Sequence, residues 1–434
     1  MLDLIQISLT VILAFYVACN LGANDVANSM GTSVGSKALT LRQAIVVAGI
    51  LEFTGAVLFG QGVSSTLATK VVKPDLFVLT PQLLLIGMFA VLLTCGLWLQ
   101  IATSQGLPVA SSHAVVGAIA GFSWLAIGKD AVDWLNIGRI SLTWVVTPLV
   151  SAILAALLYS IVKHSILEAA NPIRQLGEWI PWLSTILLSV FGVIVLPTIF
   201  ERPLFANLPF PTHDLPLATG AVAAVALTVI SWNSLRREGE GEQESREAGG
   251  DKQLIIASSK GFTHLLVERQ LARFQVISAC FVAFAHGSND VGNAIAPLAV
   301  IAYILRTGAV PLAAFEVPFW ILVIGGSGIV AGLAVWGKKV ISTIGESIIP
   351  LQPSSGFCAE IATATTILLA SRLGLPVSTS HALVGGVVGV GLIQSRGNLS
   401  WQTVKSIALA WLITLPAAAG LGAVIFLCLR WLFL

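Results

Sequence analysis

The stretch Asn24–Asn28 reads Asn-Asp-Val-Ala-Asn, and nearly the same pattern returns at Asn289–Asn293 as Asn-Asp-Val-Gly-Asn. A second motif begins with Gly-Leu-Pro-Val and ends with Ser-His. It occupies Gly106–His113 and again Gly374–His381. The first motif starts 82 residues before the second in one copy and 85 residues before it in the other. We infer from this matched spacing that the chain contains one structural unit twice.

The composition indicates what surrounds this duplicated unit. Only 10% of the 434 residues are charged and 56% are hydrophobic, a balance that a water-facing surface of this size does not tolerate. The apolar residues fall into stretches of the roughly 20 residues that a helix needs to cross a bilayer. The sequence therefore predicts an all-α polytopic membrane protein. The centres of its twelve predicted transmembrane helices lie near Leu13, Val57, Leu92, Gly117, Ile153, Val190, Ala224, Ala285, Val323, Ala364, Val387 and Leu421.

The number of predicted helices determines how the two copies are oriented. Equivalent segments lie seven crossings apart, and an odd displacement turns the second copy upside down relative to the first. This is an inverted repeat, a common architecture of secondary transporters, in which broken or re-entrant helices carry the binding site. A single re-entrant segment would remove the inversion, and the Gly-Leu-Pro segments are the candidates for re-entry.

One hydrophilic stretch divides the chain. We predict a first transmembrane repeat at 1–165, connecting transmembrane helices at 166–232, a mobile hydrophilic linker at 233–273 and a second transmembrane repeat at 274–434. A short surface helix at the end of the linker is compatible with its sequence. Basic residues tend to stay on the cytoplasmic side, so the Arg and Lys of the linker place it in the cytoplasm and both termini outside. We expect a multi-pass protein of the plasma (inner) membrane.

Two aspartates are the ionisable residues of the first motif. A charge near the bilayer centre costs about 3 kcal/mol on insertion scales unless it has a partner or faces water, so Asp25 and Asp290 need compensation. Asn28 and Asn293 add carbonyl oxygens beside the carboxylates, and oxygen ligands suit a hard cation. A glycine three residues before each aspartate would let the helix break and offer free backbone carbonyls. We predict sodium at both aspartates, with a proton as the alternative.

The second motif suits an anion. Pro108 and Pro376 fit the first turn of a helix, and the residues after them put hydroxyls beside unpaired backbone N–H groups. The helix dipole and these amides favour negative charge, so two such helix starts would hold a tetrahedral oxyanion between them. Each hydroxyl alone would more often serve packing, and the paired clusters favour a site. The predicted phosphate-binding residues are Asn24, Ser111, Ser112, Asn289, Ser378, Thr379 and Ser380.

Four further polar residues are assigned to supporting or pathway roles. His113 and His381 have no second His, Cys or carboxylate at ligand spacing, so we expect them to orient a loop or bond a backbone and not to ligate a metal. Glu52 and Glu360 lie in apolar stretches and must face the interior or a water-filled path. An ion pathway and a structural hydrogen bond both stay open for them. No cofactor is predicted, because sodium and phosphate enter as transported ligands.

Other function classes fit the sequence less well. A membrane enzyme with Ser112 as nucleophile and His113 as base is disfavoured, because adjacent residues on a helix point about 100° apart. A channel would need a continuous polar lining, whereas the polar residues gather at two places. Gly332–Lys338 begins like a nucleotide-binding loop, but Lys339 stands where Ser or Thr is needed. No basic cluster interleaved with aromatics predicts nucleic acid as a partner. A receptor that binds without transporting stays open.

At these motifs the chain resembles the inorganic phosphate transporter family, the sodium- or proton-coupled phosphate permeases. The resemblance spans nearly the whole length. Its most specific pieces are Gly22–Asn28, Gly31–Thr40, Ala285–Val291, Gly356–Glu360 and Gly374–His381. The resemblance implies twelve transmembrane segments, an inverted repeat, extracellular termini, a cytoplasmic central loop and a homodimer. It also implies that the Asn-Asp motifs bind coupling cations and that the hydroxyl motifs bind phosphate.

The function that this resemblance implies is cation-coupled symport of inorganic phosphate by alternating access, with sodium as the cation. A proton-coupled phosphate or sulfate permease of the same fold is the alternative. Two departures from the family pattern stand out. Ala110 and Ser111 replace the usual Ser-Thr, so the first half offers one hydroxyl fewer, and Gly292 and Ala296 replace the usual Ala and Gly. Because of the missing hydroxyl, sulfate stays open as an alternative substrate.

Overall fold

A computed structural model describes the backbone of residues 2–105, 109–200, 214–247, 252–312, 315–344, 348–394 and 399–433, and the side chains in these ranges except at 2–4, 239–247, 252–260, 262 and 339–344. Almost all regular structure in these ranges is helical. The α-helices are α1 (Leu2–Gly35), α2 (Leu41–Phe59), α3 (Gln61–Thr69), α4 (Pro81–Ser104), α5 (Ser111–Ala126), α6 (Trp134–Val162), α7 (Pro172–Ile194), α8 (Leu196–Phe200), α9 (Asp214–Glu247), α10 (Lys252–Thr307), α11 (Phe319–Ile344), α12 (Pro353–Arg372), α13 (Thr379–Gln394) and α14 (Trp401–Phe433). The all-α prediction is confirmed.

Long helices with an apolar outer surface make this a multi-pass integral membrane protein. Within the described ranges, nine helices are long and apolar enough to cross a bilayer. Large apolar side chains lie on the outside, among them Ile12, Leu142 and Leu412, which are 66%, 62% and 74% exposed. Water would penalise so large an apolar surface, whereas lipid hydrocarbon solvates it.

Every one of the twelve predicted segment centres falls inside a helix. Two of these helices, α5 and α13, have only 16 residues each. At about 1.5 Å per residue they span roughly 24 Å, less than the roughly 30 Å of a hydrocarbon core. Short helices of this kind are expected where a transmembrane segment is broken or re-entrant. Whether all twelve segments cross the bilayer, and whether the repeats are inverted, stays a prediction.

Glycines let the long helices of the two halves approach closely. A Cβ on Gly22 of α1 would overlap the backbone carbonyl of Ile329 in α11, and a Cβ on Gly287 of α10 would overlap that of Glu52 in α2. Both α1 and α10 continue as helices through these positions. The predicted helix break with free carbonyls is therefore wrong, because the missing side chains serve backbone-to-backbone packing.

Each short helix packs in the same way on one long helix. Glycines of α5 face carbonyls of α14, and glycines of α13 face carbonyls of α6. The residue pairs that an added Cβ would bring into overlap are Gly117–Leu415, Gly121–Ala419, Gly385–Pro148 and Gly389–Ala152. We therefore treat α5 with α14, and α6 with α13, as two packed pairs.

The helix α13 starts later than the sequence predicts. Pro376 precedes the helix, which begins at Thr379, so the prediction that this proline occupies the first turn is wrong. Its carbonyl accepts a hydrogen bond of 3.2 Å from the indole N–H of Trp144. The backbone N–H of Val377 donates to the side chain of Asn289, which holds the segment outside the helix. The corresponding prediction for Pro108 lies outside the described residues.

The hydrophilic stretch 233–273 is helical wherever the structure describes it. Here α9 extends to Glu247 and α10 already begins at Lys252. Glu238 on α9 pairs with Arg273 on α10 across 3.1 Å, and Gln270 donates to the same carboxylate at 3.0 Å. The described part of the predicted linker is helical, because Glu, Gln and Arg favour helices and the ion pair joins α9 to α10, and its mobility stays a prediction. The cytoplasmic position stays a prediction.

Candidate functional site

Two aspartates from opposite halves of the chain lie side by side inside the protein. Asp25 in α1 and Asp290 in α10 are 1% and 0% exposed. One side-chain ligand atom from each, together with one from His286, all lie within 4.8 Å of one another. The sequence predicts one cation site per half, and the structure brings both aspartates into a single buried cluster.

An asparagine of the same helix supports each aspartate. The Nδ2 of Asn28 donates to Oδ1 of Asp25 at 3.0 Å, and the Nδ2 of Asn293 donates to Oδ1 of Asp290 at 3.4 Å. These pairs follow from the Asn-Asp-x-x-Asn spacing, because residues three apart on a helix are neighbours. Both Oδ2 of Asp25 and Oδ1 of Asn293 are buried and form no hydrogen bond of good geometry with the described residues, although His286 and Ser111 lie against the carboxyl of Asp25. Buried oxygens of this kind are ligands that a hard cation prefers.

The same asparagines also contact the hydroxyls of the opposite half. Asn28 donates to Oγ of Ser380 at 2.8 Å, and Asn293 donates to Oγ of Ser111 at 3.1 Å. Each Asn-Asp motif is thus joined to the helix start that the other half supplies. The sequence predicts both kinds of motif, and the structure brings them together.

The aspartates contact the hydroxyls of their own half. The hydroxyl of Thr379 donates to Oδ2 of Asp290 at 2.8 Å, and Ser111 lies against the carboxyl of Asp25. The Oγ of Ser112 is buried and has no hydrogen-bonding partner among the described residues. Hydroxyls, carboxylates and amide oxygens therefore converge at the starts of α5 and α13.

The two helix starts differ by one hydroxyl. The Oγ of Ser378 accepts a hydrogen bond of 3.3 Å from the backbone N–H of His381, which caps the start of α13. The corresponding position before α5 is Ala110, and no side chain in the part of the chain that the structure describes caps that helix. This is the hydroxyl that the sequence shows to be missing from the first half.

The first asparagine of each motif has protein partners. Asn24 donates to Oγ1 of Thr103 at 3.0 Å. Asn289 donates to Oγ of Ser371 at 3.0 Å and accepts from the backbone N–H of Val377 at 3.3 Å. Asn289 therefore positions the segment that leads into α13, and its predicted contact with phosphate stays a prediction.

Sequence reasoning missed His286, the third member of the buried cluster. Its Nδ1 lies 3.2 Å from Oε1 of Glu52, and its Nε2 lies 3.0 Å from Oδ2 of Asp290. Glu52 also accepts a hydrogen bond of 2.8 Å from the hydroxyl of Ser29. The sequence contained a signal for His286, because a residue one helical turn before Asp290 lies on the same helix face. Burying this polar side chain in an apolar stretch also carries the cost that drew attention to Glu52 and Glu360.

Glu360 on α12 is the centre of a separate hydrogen-bond network. Its Oε1 accepts from Thr32 and Ser33 at 2.6 Å each and from Gln275 at 3.1 Å, while its Oε2 accepts from Ser278 at 2.6 Å. These donors, which the sequence did not single out, join α12 to α1 and α10. Four donors therefore satisfy the buried carboxylate, which is the arrangement expected if Glu360 forms structural hydrogen bonds.

The histidines of the second motif lie directly behind the hydroxyls. The Nδ1 of His113 is 3.1 Å from the carbonyl of Trp411, and the Nδ1 of His381 is 2.9 Å from the carbonyl of Trp144. Both imidazoles are therefore placed against helix backbones, the surroundings expected of orienting residues.

The fold and the site together define the class of this protein. A bundle of apolar membrane helices encloses a polar cluster, in which acidic residues lie opposite hydroxyl-rich helix starts. This arrangement is typical of a membrane transport protein for a small anion.

The comparison with known proteins identifies that family. The pattern of the phosphate transporter family matches residues 21–422. The chain is 38% identical over 421 residues to the inorganic phosphate transporter 2-1, chloroplastic, of Arabidopsis thaliana, covering 96% of this chain and 70% of that protein. It also resembles a solved structure described as "The sodium-dependent phosphate transporter", with 34% identity, a TM-score of 0.84 and full coverage of both chains. The chain belongs to the phosphate transporter family.

Proposed function

We propose that this chain is a sodium-coupled symporter that carries inorganic phosphate across the membrane by alternating access. One observation carries the proposal: Asp25 and Asp290 meet at the starts of α5 and α13, whose hydroxyls contact them. A cation held by the carboxylates and an anion held by the hydroxyls and helix N-termini would then occupy adjacent positions.

Charge balance explains why the two ions would move together. Two carboxylates whose ligand atoms lie within 4.8 Å of each other repel by roughly 3 kcal/mol or more at an effective dielectric constant of about 20, and phosphate adds to that repulsion. Sodium at Asp25 and Asp290, with Asn28 and Asn293 as further ligands, offsets it. The loaded site then costs less to carry through a region of low dielectric constant than the anion alone.

We assign the phosphate site from the positions of the hydroxyl groups. We place phosphate at Ser111, Ser112, Thr379 and Ser380, where the backbone N–H groups of two helix starts add to the hydroxyl donors. The solved relative is described as sodium-dependent, which supports sodium as the coupling ion. A proton in place of sodium, or sulfate in place of phosphate, is the alternative.

The surroundings of the protein complete the proposal. We place it in the plasma (inner) membrane with both termini outside and the 233–273 stretch in the cytoplasm, and we propose that two copies form a homodimer. The family resemblance supports this arrangement. Labelling of single cysteines introduced near each terminus and at Glu238 from one side of sealed vesicles would test the orientation.

Uptake into proteoliposomes tests the coupling. We expect labelled phosphate to accumulate when an inward sodium gradient is imposed at equal pH, and to stay near equilibrium when only a pH gradient is imposed. Excess sulfate should compete weakly. Accumulation under the pH gradient alone would contradict sodium coupling and favour the proton alternative.

Matched variants separate the site from the fold. Asp25→Asn and Asp290→Asn should abolish sodium-driven accumulation. Asp130→Asn changes an exposed aspartate in the loop between α5 and α6 and should transport as the wild type does. Retained accumulation in both site variants would contradict the assignment of the coupling site.

A further inference from the structure

Two histidines and two tryptophans form a compact cluster behind the hydroxyls of the two helix starts. The ring centroids of His113 and Trp144 are 3.8 Å apart, and those of His381 and Trp411 are 3.7 Å apart. The two imidazoles meet edge to face at 4.8 Å. We call these four residues the His–Trp quartet.

The hydrogen bonds of the quartet fix the orientation of both imidazoles. A backbone carbonyl can only accept, so the Nδ1 atom that faces it must carry the hydrogen in each histidine. The carbonyl of Trp144 has a particular need for this donor. Pro148, four residues further along α6, has no N–H to donate to it, and His381 supplies the missing donor.

The hydrogen bonds of the quartet lie within the packed helix pairs, whereas its ring contacts lie between the pairs. His113 on α5 hydrogen-bonds to α14, and His381 on α13 hydrogen-bonds to α6, so both hydrogen bonds lie within a packed pair. The ring contacts between His and Trp, whose planes are tilted by 35° and 32°, instead join α5 to α6 and α13 to α14. The rings therefore lie between two bodies whose own helices are in backbone contact. A ring between two bodies limits how closely they approach.

The position of the quartet links the distance between the two packed helix pairs to the ligand-binding hydroxyls. Ser112 directly precedes His113, and Ser380 directly precedes His381. Trp144 also donates from its indole N–H to the carbonyl of Pro376, in the segment that leads into α13. A displacement of either ring therefore reaches the hydroxyls of a helix start through a single peptide unit.

We propose that the His–Trp quartet is a spacer that sets the distance between the two anion-binding helix starts, and with it the size of the tetrahedral oxyanion that the site accepts. The four residues act as positioning residues through the neighbouring hydroxyls. This inference rests on the proposed binding of phosphate at those hydroxyls. Arsenate has the charge and protonation of phosphate with longer bonds, so it reports on size alone.

Two substitutions at His381 separate the ring from the hydrogen bond. His381→Asn keeps an N–H donor near the Nδ1 position and removes the ring, whereas His381→Phe keeps a ring and removes the donor. We expect the Asn variant to lose most of the preference for phosphate over arsenate, with phosphate binding weakened roughly tenfold. The Phe variant should unfold at a lower temperature, because the carbonyl of Trp144 loses its donor, and yet keep the preference.

The measurement is a titration of the purified full-length protein with inorganic phosphate and with arsenate at saturating sodium, which gives the ratio of the two dissociation constants. His113→Asn repeats the test in the other half, should either variant at His381 fail to fold. Phe122→Leu is the matched control. It removes a buried ring of α5 that packs on Phe77 and Phe426, away from the quartet, and should leave the ratio unchanged.

The outcomes distinguish this inference from the proposed function. The proposed spacer role would be overturned by an unchanged ratio of the phosphate and arsenate dissociation constants in the folded Asn variants. An equal loss of the preference for phosphate in the Asn and Phe variants would also overturn it. A wild-type protein that binds no phosphate, or Ser112→Ala and Thr379→Val variants that bind as the wild type does, would instead overturn the phosphate site itself.

Discussion

Asn28 in the first half of the chain donates a hydrogen bond of 2.8 Å to Ser380, 352 residues further on, and with the same amide group donates to Asp25 at 3.0 Å. One side chain thus joins the acidic cluster to the hydroxyl-rich start of α13. Asn293 repeats the arrangement toward Ser111. A cation at the aspartates and an anion at the hydroxyls would share these asparagines, which provides a direct structural route for coupling.

Replacing Asn28 should weaken both ligands together. A single hydrogen bond of this kind contributes about 1 kcal/mol, so Asn28→Ala should raise the dissociation constants of phosphate and sodium by roughly fivefold each. Equilibrium binding of each ion to the purified protein measures this. Asn20→Ala is the control, because Asn20 lies on the same helix and, within the described ranges, donates only to the carbonyl of Tyr16. Weakening of only one ion would contradict a shared role.

The aspartates should discriminate phosphate from sulfate. Phosphate near neutral pH carries a proton that sulfate lacks, and the buried Oδ2 of Asp25 is an acceptor that could take that hydrogen. Asp25→Asn should therefore weaken phosphate binding by more than roughly tenfold while any sulfate binding changes less. Competition titrations of both anions provide the comparison. An equal loss for both anions would reject this explanation of selectivity.

Sodium and phosphate should tighten each other's binding by the same factor. Linkage requires this reciprocity for any pair of ligands whose sites interact, and an interaction of about 1–3 kcal/mol corresponds to a factor of roughly 5–150. Phosphate titrations at several sodium concentrations, and sodium titrations at several phosphate concentrations, measure the two factors. Independent binding would count against symport through one cluster.

The packing of Gly287 should be essential to the fold. Gly287→Ala puts a methyl group into the backbone of Glu52, so α10 and α2 must separate at a cost of about 1–3 kcal/mol or more. We expect a lower unfolding temperature in detergent. Gly138→Ala is the matched control, because no atom of the described residues lies within 4 Å of its added Cβ. That variant should lose no stability, since alanine is the better helix former. Similar behaviour of the two variants would contradict the close packing.

Removing the charge of Glu360 should loosen the junction of α12 with α1 and α10. The carboxylate accepts four hydrogen bonds in a buried site, and hydrogen bonds to charged groups contribute about 1.5–3 kcal/mol each. Glu360→Gln presents an N–H₂ group to hydroxyls that now donate, so the unfolding temperature should fall. Glu316→Gln, at an exposed position, should leave it unchanged. An unchanged temperature for both variants would argue against the network.

The enclosing fold was largely predictable because the relevant information is local. Whether a stretch is apolar over about 20 residues can be read without knowing its neighbours, so each of the twelve predicted centres falls in a helix. The duplicated motifs are equally local. Their matched spacing identified Asp25, Asp290 and the hydroxyls of α5 and α13 before any contact was known.

The sequence-based predictions failed or were incomplete where the role of a residue depends on which distant helix packs against it. Glycine before an aspartate is compatible with a broken helix, but Gly22 lies against the backbone of Ile329, and that contact keeps α1 continuous. The polarity of 233–273 likewise gave no sign of the ion pair between Glu238 and Arg273 that joins two helices there. Neither partner is near in sequence, so no local pattern reveals it.

By itself, then, the amino-acid sequence determined that this is a helical membrane protein of two similar halves, each with an acidic and a hydroxyl-rich motif. The tertiary structure alone decided that both aspartates share one cluster with His286 and that each asparagine contacts the hydroxyls of the opposite half. The physical reason is that burial in lipid acts on each segment separately, whereas these contacts depend on how closely the backbones of distant helices approach.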